Sequence, residues 1–308
     1  MALHPVVQKI LDNAQAAGRP ALSAGTPEQA RAQVAAMRTP LGPGPQEVTF
    51  MNISVTTRSG EIPARLYKPV KQSKGLVVYL HGGGWVCGQL DDFDALARKL
   101  TQDSGCAILL VDYRLAPEHV FPAALHDVED ALLWAQDEGM HYFEQKLPLL
   151  VAGDSAGANL GMAAIQSLNK RISIALQAWF YPVTDSDMNR PSYQNFSKGM
   201  PLTSEDMHWF FSHYAPREVW SDERIAILKS ANLKDSPPTW IATAEYDVLR
   251  DEGEAYAHQL KALGVEIQLH RVSGLTHGFA RLFNIVDTAR DVVEQAATAM
   301  SLACETKK

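Results

Sequence analysis

The sequence predicts an α/β fold built on a doubly wound, mostly parallel sheet. The first observation is a set of short apolar runs bounded by turn residues: Leu76–Leu80, Cys106–Val111 and Leu147–Ala152. Runs of this length fit strands buried on both faces. The second is what lies between them, helical patterns at about 91–103 and 123–138 and a helix beginning at Ser155 or just after it. The third is that the alternation continues, with strand patterns at Ala175–Tyr181, Thr239–Ala244 and Val265–Arg271 and helices near 252–263 and 287–301. Strands alternating with helices argue for crossovers on both faces of one sheet.

The elements before and within this core follow from local chemistry. Val6, Val7, Ile10, Leu11 and Ala14 recur at helical spacing. Thr26-Pro27-Glu28-Gln29 opens a second helix, with Thr26 as cap, Pro27 in the first turn and Gln29 closing a capping box. Ala30, Val34 and Met37 then share a face. The stretch Thr39–Pro45, rich in proline and glycine, ends the helical region. Val48–Thr56 and Ile62–Tyr67 read as a strand pair at the sheet edge. Roughly 184–232 interrupts the alternation; Thr203-Ser204-Glu205-Asp206 starts a helix there, followed by Trp209, Phe210, Phe211 and Tyr214. An insertion of this length after a strand reads as a lid over a site. The competing reading is a helix that only shields one edge of the sheet.

Composition narrows the class. The chain has 308 residues, 46% hydrophobic and 20% charged, with a formal net charge of −7. That is ordinary for a globular chain able to bury a large core. The mild acidity gives no broad basic surface, so a nucleic-acid partner is not expected. Three cysteines, Cys87, Cys106 and Cys304, make no disulfide framework and no paired metal ligands. They read as buried or incidental thiols in a reducing compartment; the competing reading makes Cys87, close to the glycine run at 82–84, a wall residue of a site. No H-E-x-x-H is present, and His119 and His126 are too far apart for a helical ligand pair, so no metal is expected. The N-terminus lacks the continuous apolar core of a signal peptide, and no apolar run approaches a membrane span. A cytoplasmic protein is the expectation.

The chemistry-bearing residues fall at the ends of the strands. Gly153-Asp154-Ser155-Ala156-Gly157 matches G-x-S-x-G between an apolar strand and a helix. There a sharp turn exposes a serine hydroxyl and sets the Ala156 N–H beside it, at a helix N-terminus that favours negative charge. His81-Gly82-Gly83-Gly84-Trp85 follows the strand Leu76–Leu80. Its glycines let backbone N–H groups approach a developing oxyanion without side-chain obstruction. A phosphate loop fails, since neither G-x-x-x-x-G-K-[ST] nor G-x-G-x-x-G occurs. His81 reads as a brace for this loop. Trp85 either lines the pocket or packs, and Trp209 is a second pocket candidate. A serine needs a base; of ten histidines, His277 in Gly274–Phe279 follows a late strand. Asp247 follows an earlier one, giving the order Ser155, Asp247, His277. Glu245 and Asp251 are its rivals, Asp251 better suited to capping the next helix and Glu245 still at the strand end.

These residues resemble bacterial carboxylesterases of the hormone-sensitive-lipase type, in the α/β-hydrolase superfamily. The resemblance rests on HGGGW (81–85), DYRLAPEHVFPAALHD (112–127), GDSAGANL (153–160), AEYDVLRDEGEAY (244–256) and GLTHGF (274–279). It covers nearly the whole chain. It implies one α/β-hydrolase domain over 1–308, with an eight-stranded sheet and a helical cap from about 1–45 and about 184–232. It implies a triad of Ser155, Asp247 and His277 and an oxyanion hole from Gly82, Gly83, Gly84 and Ala156, Gly83 first. The implied activity is cofactor-free hydrolysis of small esters with short to medium acyl chains. Dimers are common in similar enzymes, so a homodimer is left open. One departure stands out: the family often has Asp-Pro-Leu where this chain has Asp247-Val248-Leu249, which removes proline's fixed φ from that turn.

Two other readings share these motifs. A small-molecule receptor on the same fold loses the histidine, and His277 is present. An amide hydrolase or acyl transferase keeps the triad and changes the substrate.

Overall fold

The computed structural model describes residues 2–305. Helices α1 (Pro5–Ala16), α2 (Pro27–Ala36) and the short α3 (Arg38–Leu41) come first. Thr26 and Gln29 form the expected capping box at α2. The proline-rich link carries one more helical turn than its composition suggests. Pro40 sits where a helix start leaves N–H groups unpaired anyway, and Gly42, at φ 78°, ends the turn.

Strands β1 (Thr49–Thr57) and β2 (Gly60–Lys68) pair antiparallel at the sheet edge. Then follow β3 (Leu76–Leu80), α4 (Leu90–Ser104), β4 (Ala107–Val111), α5 (Ala123–Gln136), β5 (Leu149–Asp154) and α6 (Ala156–Leu168). After β6 (Ile174–Phe180) come the short α7 (Pro191–Asn195) and α8 (Ser204–Tyr214), then β7 (Thr239–Tyr246), α9 (Arg250–Ala262), β8 (Ile267–Thr276) and α10 (Asp287–Glu305). The eight strands lie in the order β1-β2-β4-β3-β5-β6-β7-β8. β2 meets β4 antiparallel, and every later neighbour is parallel.

Every residue of β3 is buried, and successive side chains serve opposite layers. Val77 and Tyr79 pack with Phe93, Leu96 and Leu100 of α4 and Val293 and Ala297 of α10. Leu76, Val78 and Leu80 pack with α5 and α6, where Leu125, Val128, Leu160 and Ala164 are buried. Period-two alternation of wholly apolar residues is what a strand covered on both faces requires. The consequence for the site is positional. β3, β5, β7 and β8 all run parallel, so the residues following each one, His81, Ser155, Asp247 and His277, emerge on the same carboxyl edge.

The inserted segment is part of the core. Met207, Phe210, Phe211 and Tyr214 of α8 are buried, and Thr203 and Asp206 cap its start. Asp206 also accepts the Ser23 N–H at 2.9 Å, joining the N-terminal segment to α8.

Candidate active site

Ser155 stands between β5 and α6 with φ 53° and ψ −121°, a backbone region that non-glycine residues rarely occupy. Such strain persists only where neighbours fix it. Here the Ser155 N–H donates to Phe180 O at 3.0 Å, and Ser155 O accepts from Asn159 and Val183. Gly157 has no space for a side chain, since a Cβ would lie 2.1 Å from Leu80 O. The tight strand-to-helix crossing explains why small residues flank the serine.

Three side chains from three connections meet. His277 Nε2 lies 3.0 Å from Ser155 Oγ, and His277 Nδ1 lies 2.8 Å from Asp247 Oδ2. A carboxylate at Nδ1 holds the proton there and leaves Nε2 to accept from the serine hydroxyl. Asp247 and Ser155 are only 1% and 5% exposed. The Tyr181 ring flanks the imidazole, with centroids 4.6 Å apart. The Asp247 turn is held without proline: its Oδ1 accepts the Leu249 N–H at 3.0 Å and its carbonyl accepts the Arg250 N–H. Ser192 Oγ closes the turn from outside by donating to Val248 O at 2.6 Å.

The rivals of Asp247 are engaged elsewhere. Glu245 accepts the Gly274 N–H at 2.8 Å. Asp251 makes no cap on α9. It accepts the Ser192 N–H at 2.8 Å and pairs with Arg250, because α7 packs against this end of α9.

The glycine loop differs from its expected use at one position. The Gly82 N–H donates to Asp154 Oδ1 at 2.9 Å, so it is unavailable to an oxyanion. Asp154 is buried and also accepts from Tyr79 Oη at 3.0 Å. Burial pushes its carboxyl up to about 6, against those two hydrogen bonds. Among the described residues, no acceptor faces the N–H groups of Gly83 and Gly84. The Ala156 N–H sits in the first turn of α6, where helix geometry leaves it without an intrahelical partner. Gly82 therefore anchors the loop, and three of the four expected donors stay free.

His81 is fully buried between Tyr113 and Phe93, with ring centroids at 4.4 and 5.3 Å. Burial pushes it down to about 4, so it is neutral and braces the loop. Trp85 is 0% exposed and packs between loop and cap, which removes it as a pocket-lining residue. Trp209 is half-buried on α8, edge-on to Phe210 and His213. Cys87 is buried and its thiol is pushed up to about 12 by desolvation, so it is an inert packing group.

A family model described as alpha/beta hydrolase fold matches residues 77–281. The chain belongs to the α/β-hydrolase family. This hydrolase is 39% identical to a carboxylic ester hydrolase, LipN, of Mycobacterium tuberculosis over 255 residues, 79% of this chain and 68% of that protein. It is 38% identical over 248 residues to an ethyl acetate hydrolase of Pseudomonas putida, covering 77% of this chain and 78% of that protein. Among solved structures, a thermostable esterase from Pseudomonas putida superposes with TM-score 0.93 at 28% identity, covering 98% of both chains. A hyperthermophilic esterase from Pyrobaculum calidifontis gives 0.90 at 33% identity, covering 99% of this chain and 100% of that one. The resemblance read from the motifs holds at the level of family and fold.

Sequence reasoning missed three supports of the loop. Arg31 of α2 donates to Val86 O at 2.8 Å and to Ala116 O at 3.0 Å. Asp154 holds Gly82. Phe210 lies over Gly84, where a Cβ would sit 2.2 Å from its ring. Only the last had a signal, the aromatic run in the insertion.

Proposed function

We propose that this α/β-hydrolase cleaves carboxylic esters of short to medium acyl chain through an acyl-enzyme on Ser155. The observation that carries this reading is the Ser155–His277–Asp247 chain of contacts at 3.0 and 2.8 Å. His277 Nε2 takes the hydroxyl proton as Ser155 Oγ attacks the ester carbonyl. Asp247 stabilises the imidazolium and keeps Nδ1 protonated. The N–H groups of Gly83, Gly84 and Ala156 bind the tetrahedral oxyanion. The alcohol leaves with the proton from His277. Water, deprotonated by His277, then attacks the acyl carbonyl and releases the acid and Ser155.

Carboxylic ester hydrolysis is what the relatives' names state, and one of them, an ethyl acetate hydrolase, takes a short acyl group. No helix among the described residues is long and apolar enough to cross a membrane, which fits a small ester partner met outside the bilayer core.

The test is p-nitrophenyl ester turnover by wild type and Ser155→Ala across acyl lengths. The expected loss is about 10⁴-fold or more in kcat, with wild-type rates falling beyond medium chains. Near wild-type turnover by the variant removes the assignment. A maximum at long chains replaces esterase with lipase.

A further inference from the structure

We infer that cap helix α8 braces the oxyanion loop: the Tyr214 ring, stacked on Trp85, and the Phe210 ring, seated on Gly84, hold the N–H groups of Gly83 and Gly84 in register with Ser155. This rests on the reading of that loop as oxyanion donor given above. It is an alternative to the lid expected of the inserted segment.

The loop has little internal support. The Val86 and Cys87 N–H groups fold back on Gly83 O at 3.1 and 2.8 Å, forming a tight turn. Gly83 and Gly84 have φ 128° and 60°, and Trp85 follows at φ 61°. For an indole-bearing residue that conformation holds only where surroundings impose it. The surroundings are α8. The Trp85 and Tyr214 rings lie 4.4 Å apart between centroids and 4° from parallel, and Phe211 meets the indole edge-on at 5.1 Å. Neither Trp85 Nε1 nor Tyr214 Oη has a hydrogen-bond partner, so the contact is stacking and burial alone. One residue earlier, the face of Phe210 covers Gly84.

Helix α8 is itself fastened to the body. Its last carbonyl, Tyr214 O, accepts the Phe121 N–H at 2.8 Å, and its capping residue Asp206 holds Ser23. Trp85 O accepts the Ala116 N–H at 2.9 Å from the other side. Swinging α8 outward as a lid would unstack Trp85 and release the turn that carries Gly83 and Gly84. Backbone donors act only where the oxyanion will stand, and sub-ångström displacement removes much of their effect. Loss of the brace therefore acts on the transition state and leaves ground-state binding largely intact. Tyr214 and Phe210 are positioning residues.

The experiment compares Tyr214→Phe, Tyr214→Leu and Tyr214→Ala with wild type, rates being normalised to the folded fraction. Because Oη has no partner, Tyr214→Phe should match wild type. Tyr214→Ala should lower kcat about 10- to 100-fold, less than the roughly 10²–10³ of a deleted donor, with KM within about threefold. Affinity for an aliphatic trifluoromethyl ketone, whose adduct with a serine carries an oxyanion, should fall in the same ratio. Tyr214→Leu should show a smaller loss of the same kind and serves where the alanine variant does not fold. Unchanged kcat in folded Tyr214→Leu or Tyr214→Ala overturns the inference. So does a raised KM at constant kcat, which would make the ring a substrate wall. Failure of the hydrolase reading is seen separately, as wild-type inactivity or an active Ser155→Ala.

Discussion

Glu252 supports a quantitative prediction at the base of the cap. It sits in the first turn of α9, wholly buried. Its Oε1 accepts the N–H groups of Thr184 and Asp185 at 2.8 and 3.2 Å, while Oε2 has no hydrogen-bond partner. Burial pushes the carboxyl from 4.5 up to about 8, outweighing those two bonds and helped by the Asp185 charge. The group is therefore protonated in the folded protein at neutral pH and ionised in the unfolded chain. The folded state binds the extra proton, so stability falls as pH rises from about 4.5 to about 8. At 1.36 kcal/mol per pH unit, the loss is about 3 kcal/mol by pH 7 and about 5 kcal/mol over the whole interval.

Glu252→Gln removes that term while keeping its geometry. The amide oxygen still accepts from Thr184 and Asp185, and the amide NH₂ stands where the protonated oxygen stood. Variant and wild type should agree within about 1 kcal/mol at pH 5. The variant should then gain about 3 kcal/mol by pH 7 and about 5 kcal/mol by pH 9. Equilibrium urea unfolding between pH 5 and pH 9, followed by tryptophan fluorescence, reads the difference. Parallel curves at all pH values would mean that Glu252 is ionised in the folded protein, and the reasoning fails. Glu252→Ala should lose stability at pH 5, about 1–3 kcal/mol for each backbone N–H left unpaired, and that deficit should shrink as pH rises, because the alanine variant also lacks the titrating carboxyl. Ester turnover by the glutamine variant should stay near wild type at pH 7, because Thr184 and Asp185 keep their acceptor.

Two further outcomes are expected. Asp154→Ala should lower both stability and kcat, since Gly82 N–H and Tyr79 Oη lose their acceptor at about 1–3 kcal/mol each; an unfolding curve and ester kinetics check it, and a stable, fully active variant would show that something else secures Gly82. Cys106 and Cys304 bring their Sγ atoms to 3.6 Å beneath Gly75, which leaves the slot free of a side chain. Hydrogen peroxide should join them with release of two waters, lowering the thiols titrated after unfolding from the three of the sequence to one; three remaining thiols would contradict it.

The sheet and the meeting of Ser155, Asp247 and His277 were legible because each rests on local information. Five consecutive apolar residues at Leu76–Leu80, bounded by turn residues, fit a strand covered on both faces, and G-x-S-x-G acquires meaning from the strand before it and the helix after it. Asp247 and His277 followed from the order of strands, and Thr203–Asp206 from capping chemistry. The fate of Gly82 was hidden because its partner Asp154 is 72 residues away, and nothing local distinguishes an N–H that faces a carboxylate from one that faces substrate. Trp85 was ambiguous for the same reason. Its stacking on Tyr214 depends on where α8 lands, and the aromatic run carries no address.

That asymmetry has a chemical origin. Nucleophile, base and carboxylate are side chains, so their identities are written at their own positions. Oxyanion donors are backbone N–H groups, which every residue except proline carries. A sequence can specify such donors only indirectly, by glycines that let the chain take the turn and by distant side chains that hold it there. In this protein the side chains that touch the glycine loop come from separate elements: Asp154 at the end of β5, Arg31 on α2, and Phe210 and Tyr214 on α8. Each touches a different residue between Gly82 and Val86, so removing one leaves the others in place. Substitutions at these positions should therefore lower kcat by graded amounts, each smaller than the loss of about 10⁴-fold or more expected of Ser155→Ala.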